Sequence, residues 1–97
     1  MKRKVKAKMT NEFLELGPKQ YTYKIVGSAC TSRELRYAIG ALNLVEGVIP
    51  TSIKVFGMMD KDCKFKFKGT EKALRNLLSE LSTELDFKVR KVKKVLF

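Results

Sequence analysis

Between positions 64 and 68 the chain reads Lys64-Phe65-Lys66-Phe67-Lys68. Side chains alternate across a β-strand with period 2, so an extended backbone sorts this stretch into one aromatic and one cationic face, whereas a helix would mix the two. Phe65 and Phe67 are therefore expected against a core, with Lys64, Lys66 and Lys68 pointing outward together. Neighbouring ammonium groups in such a row lie ~7 Å apart and repel, so solvent or an anionic partner must screen them.

Reading outward from that strand, Ser52–Met59 sets Ile53 and Val55 against Lys54, Phe56 and Met58, and Asp60-Lys61-Asp62 reads as the turn of a hairpin into Cys63–Lys68. Downstream, Thr70 is placed to cap a helix whose Leu74, Leu77, Leu78, Leu81 and Leu85 form one stripe, with Glu71, Lys72, Arg75, Glu80 and Glu84 on the far side. Leu78 is expected in the core beside Phe65 and Phe67. The stretch from Phe87 to Phe97 reads as a last strand, in which the pairs Arg90-Lys91 and Lys93-Lys94 break the alternation and predict a bulge or a strand end.

Upstream, Leu35, Ala38, Ile39, Leu42 and Val45 recur at helical spacing after a Thr31/Glu34 capping box, and Gly47 with Pro50 ends the segment. Before that helix, Tyr21–Val26 alternates as a strand, with Tyr21, Tyr23 and Ile25 on one face. Residues 1–18 form a basic arm carrying Lys2, Arg3, Lys4, Lys6 and Lys8, which pairing would turn into an extra edge strand. Asn11–Leu16 fits a short helix or an extension of that strand, and Gly17-Pro18 closes the arm.

The order strand, helix, strand, strand, helix, strand over residues 19–97 predicts an α+β fold of the ferredoxin-like βαββαβ kind, a four-stranded antiparallel sheet with both helices on one face. The inward layer is expected to hold Tyr21, Tyr23, Ile25, Ile53, Val55, Cys63, Phe65, Phe67, Phe87 and Val89. The open face is expected to collect Lys24, Lys54, Phe56, Met58, Lys64, Lys66, Lys68, Lys88 and Arg90.

Composition bounds the function classes. The 97 residues hold 21 Lys+Arg against 10 Asp+Glu, a net charge of +11, which favours a polyanionic partner, and the 44% hydrophobic content excludes a wholly disordered basic tail. No apolar run approaches the ~20 residues that span a bilayer, no secretory signal pattern follows the N-terminal lysines, and a cytoplasmic location is the expectation. With no His and no CxxC spacing between Cys30 and Cys63, neither metal nor cofactor is expected and reduced thiols are preferred. Asp60 and Asp62 read as a solvated turn, and Gly27 and Gly57 as lone strand-end glycines.

Cys30 and Arg36 have the Cys-x5-Arg spacing that resembles the protein tyrosine phosphatase loop. The intervening Thr31-Ser32-Arg33-Glu34-Leu35 holds no glycine to curl round a phosphate, and Glu34 would repel one. A buried structural thiol with a solvent-facing arginine is the expected role, and no enzymatic activity is expected.

The functional expectation is a small non-enzymatic protein binding RNA or another single-stranded nucleic acid. Lys24, Lys54, Lys64, Lys66, Lys68, Lys88 and Arg90 would track phosphates, Phe56 would stack a base, and Lys2, Arg3 and Lys4 would add contacts from the arm. The competing explanation of a lysine-rich face is that it keeps sheets from pairing with one another. The alternative function is an adaptor, inhibitor or ribonucleoprotein subunit docking on an acidic protein; a membrane partner is not expected.

Overall fold

A computed structural model describes residues 19–96, so the basic arm and its Lys2, Arg3 and Lys4 lie outside the described residues. The elements run β1 (Tyr21–Ser28), α1 (Ser32–Leu42), β2 (Val48–Phe56), β3 (Asp62–Gly69), α2 (Glu71–Glu84) and β4 (Lys88–Lys94). The strands form one antiparallel sheet in the order β2-β3-β1-β4, which with this element succession is the ferredoxin-like arrangement. Among the described residues, no helix is long and apolar enough to cross a membrane.

Register fixes the facing of the central strands. Tyr23 stands opposite Phe67, Ile25 opposite Phe65 and Gly27 opposite Cys63, and directly paired residues project to the same side of an antiparallel sheet. All of these residues are buried and share one core with Leu35, Ala38 and Leu42 of α1 and Leu74, Leu77 and Leu81 of α2. Tyr21, Ile53, Leu78 and Val89 pack against that core half-buried. Leu74, Leu77 and Leu81 of the expected stripe point into the core, while Leu78, expected in the core beside Phe65 and Phe67, lies half-buried at its margin. A five-leucine stripe is wider than the contact it makes, and only the docking angle selects its centre.

Both helices start where a threonine caps them. The Glu34 and Ala73 backbone N–H groups donate to Thr31 Oγ1 and Thr70 Oγ1, each at 3.1 Å. At the far end of α1 the chain turns through Gly47, whose φ of +100° is accessible without strain only to glycine; a Cβ there would meet Lys68 O at 2.6 Å.

Every strand departs from the sequence reading at one boundary or more, β2 and β4 with the most consequence. β2 begins at Val48, four residues before Ser52, and ends at Phe56, so Met58 belongs to the hairpin turn. Pro50 is tolerated inside β2 because the strand lies at the sheet edge and is bulged there. β4 starts at Lys88, leaving Phe87 as a fully buried plug before it. The expected bulge in β4 is present: Val26 pairs with Lys91 but Gly27 pairs with Val89, so Arg90 is the extra residue.

Candidate nucleic-acid interface

With both helices on one side, no other described element covers the opposite face of the sheet, and register sets out its side chains in rows. Lys66 on β3 stands opposite Lys24 on β1, and Lys24 stands opposite Lys93 on β4, three cations abreast across three strands; Ile49 of β2 ends the row. The next row runs Lys54, Lys64, Val26, Lys91, and the one beyond it Phe56, Asp62, Ser28, Lys88. On the other flank Thr22 pairs with Lys68. Strands lie ~5 Å apart and rows ~7 Å apart, so each ammonium has several like-charged neighbours.

Every expected open-face cation within the described residues is on this face. The bulge adds Lys91 and Lys93, which strict alternation from Lys88 would have misplaced. It also turns Lys94 to the helix side, where its Nζ sits 4.0 Å from the centroid of the Tyr21 ring. The doubled basic pairs were the available signal, but only the position of the bulge assigns the face of each residue.

Carboxylates are almost absent here. Asp62 is the only one on the open face among the described residues, and Arg90 reaches over β1 to hold its Oδ1 at 2.9 Å. Glu34, Glu71, Glu80 and Glu84 lie on the helices, and Asp60 in the hairpin turn. The molecule is polarised, with a cationic sheet face behind a helical side that carries most of the negative charge. A concavity of about 760 Å³ between the end of α1 and α2 is rimmed by Glu46, Glu80 and Glu84 and is therefore a poor seat for a polyanion.

Like charges placed directly opposite one another destabilise a sheet. At ~5 Å in a water-like dielectric each directly opposed pair costs on the order of 0.8 kcal/mol, less as salt rises. Lys66 and Lys68 are exposed and Lys64 half-buried, so the cost is moderated by solvent and would be relieved further by a bound anion.

Among the described residues Phe56 is the aromatic on this face, 39% exposed, with Lys64 Nζ 5.9 Å from its ring centroid. It ends β2 at the hairpin, where Met58 and Met59 follow at 98% and 67% exposure. Val55, expected inward, faces the helix side but is 45% exposed, because α1 and α2 do not reach that end of the edge strand.

Both cysteines are free, and their environments reverse the expectation for Cys30, which is exposed just before α1 while Cys63 is fully buried. Burial pushes the Cys63 thiol up to about 11, against a smaller opposing effect of a backbone hydrogen bond at Lys54. Arg36 is also exposed.

Ser52 was not singled out by sequence reading. Its hydroxyl accepts the Lys66 backbone N–H at 2.8 Å and donates to Ile49 O, closing a gap in the ladder between β2 and β3. Compared with known proteins, the sequence matches no protein-family model and no curated protein.

Proposed function

We propose that this is a small non-enzymatic nucleic-acid-binding protein that prefers RNA or another single strand and binds it on the open face of the sheet. One observation carries the reading: the cations of β1, β3 and β4 stand abreast in register, two rows from a partly exposed aromatic, with one carboxylate on the whole described face. A flexible strand laid over the sheet can bring phosphates to successive lysine rows and turn a base onto Phe56. A cytoplasmic location belongs to the same reading.

Titration of the full chain with mixed-sequence RNA and DNA oligonucleotides at several salt concentrations tests it. Binding should weaken steeply as salt rises, because each neutralised phosphate releases counterions. Absence of detectable binding to either nucleic acid at low salt would sink the reading.

The exposed hairpin tip favours a second reading. Phe56, Met58 and Met59 form an apolar cluster beside Lys54 and Lys64, a suitable anchor for an acidic protein surface on which this chain would act as an adaptor, inhibitor or ribonucleoprotein subunit. In that case Met58→Ser should abolish capture of the protein partner, while bare oligonucleotides bind weakly or not at all.

A further inference from the structure

β2 leaves its partner part-way along. Ile49 pairs with Lys66 and Lys54 pairs with Lys64, so Pro50, Thr51, Ser52 and Ile53 stand against Phe65 alone. A bulge of this length bends the edge strand away from β3 and opens a hollow on the open face. The hollow measures about 230 Å³ and is lined by Lys24, Ser52, Lys54, Lys64, Phe65 and Lys66.

Four of those residues are lysines from three different strands, paired across the sheet as Lys24 with Lys66 and Lys54 with Lys64. None of the lining residues is acidic. The one ion pair among the described residues, Arg90 with Asp62, lies one row from Lys54 and Lys64 and two rows from Lys66, and its carboxylate is already taken by Arg90. On the wall of the hollow the Ser52 hydroxyl substitutes for the missing strand partner of the Lys66 N–H.

We propose that this hollow is a discrete phosphate-binding site, bordered by lysines from three strands. Size selects the ligand. The volume exceeds several times a water's ~30 Å³ share of the liquid, yet lies below the ~300 Å³ at which pockets for whole small molecules begin. An inorganic-sized oxyanion with part of its hydration fits, and anything larger must extend out of the hollow. Ammonium groups that turn from the rim onto one phosphate would form charge-assisted hydrogen bonds, whereas lysines on a flat face act mainly through diffuse attraction.

Resting on the nucleic-acid reading, the ligand is a single phosphodiester of the bound strand. Lys54 and Phe56 lie two residues apart on one strand, ~7 Å, so a phosphate in the hollow places an adjoining base within reach of the Phe56 ring. The hollow would then set the register of the strand on the sheet.

The test compares the wild-type full chain with two double variants that lose equal charge. Lys24→Ala/Lys54→Ala empties the rim of the hollow; Lys88→Ala/Lys93→Ala removes open-face cations outside it. Inorganic phosphate, titrated against chloride at constant ionic strength, should raise the thermal midpoint of the wild type and of K88A/K93A saturably, and leave that of K24A/K54A unmoved. On mixed-sequence RNA, K24A/K54A should lose about tenfold more affinity than K88A/K93A, the difference between directed hydrogen bonds and counterion release alone. Equal losses in the two variants, or a phosphate response that survives in K24A/K54A, would overturn the discrete site while leaving nucleic-acid binding in place. A phosphate response specific to the hollow with no RNA binding would instead overturn the nucleic-acid reading and leave the site to free oxyanions.

Discussion

The ring of Phe87 occupies the space that a Cβ on Gly27 would need, with Lys88 O a further 2.5 Å neighbour of that same point. Gly27 sits where the pairing of β1 with β4 shifts register, so the missing side chain and the bulge together let Phe87 plug the end of the core. Gly27→Ala should therefore destabilise the protein by about 1–3 kcal/mol through overpacking, and Phe87→Ala by about 3–5 kcal/mol through an unfilled cavity. Urea denaturation reads both. A Gly27→Ala protein as stable as the wild type would mean that the close approach is not maintained in solution.

The leucines of α2 separate by facing. Leu81→Ala should cost about 2–5 kcal/mol, because the side chain is fully buried, and Leu78→Ala distinctly less. Denaturation midpoints of the two variants decide the matter. The reverse ranking would require α2 to be rotated on the sheet.

Lys66→Glu should leave the fold intact, relieving the opposition to Lys24 rather than burying a charge, and should weaken RNA binding. If ~4–6 phosphates are neutralised by the wild type, the log–log salt slope on a single strand should be about −3 to −4. Phe56→Ala should cost about 1–3 kcal/mol of binding with that slope unchanged, since a stacked base releases no counterion. A Phe56 variant that binds like the wild type would remove stacking from the account.

Asp62→Asn should tighten nucleic-acid binding. The substitution removes the carboxylate from the open face and frees Arg90, so the salt slope should steepen by about 0.7 for one additional phosphate contact. Fold stability should change by no more than about 1 kcal/mol, because the pair is solvent-accessible. Weaker binding by Asp62→Asn would show that Arg90 must be held by Asp62 to contribute.

A thiol-specific reagent should label Cys30 at once and Cys63 only as the protein opens. Between about pH 7 and about pH 9 the Cys63 rate should remain set by opening, because a thiol raised to about 11 stays protonated when folded. Since the folded value lies above the unfolded one, the contribution of Cys63 to stability is complete at lower pH and is lost as pH rises from about 9 toward about 11. Comparing wild type with Cys63→Ala across that range isolates it from lysine titration. Labelling of both thiols at one rate in native protein would contradict the burial of Cys63.

The sequence by itself determined which elements form and how the central strands face. Period-2 alternation at Lys64–Lys68 and Tyr21–Val26, period-3.6 leucines after Thr70, and two threonine caps are local signals, and local sterics and hydrogen bonding suffice to act on them. The tertiary structure alone decided which leucine centres the stripe of α2, where β4 slips to place Lys91 and Lys93 on the open face, and how β2 bulges so that Ser52, Lys24, Lys54, Lys64 and Lys66 meet round one hollow. Those outcomes depend on pairing between strands far apart in the chain. A register shift of one residue reverses the facing of every residue beyond it, and no residue's own propensity records where a distant partner will slip.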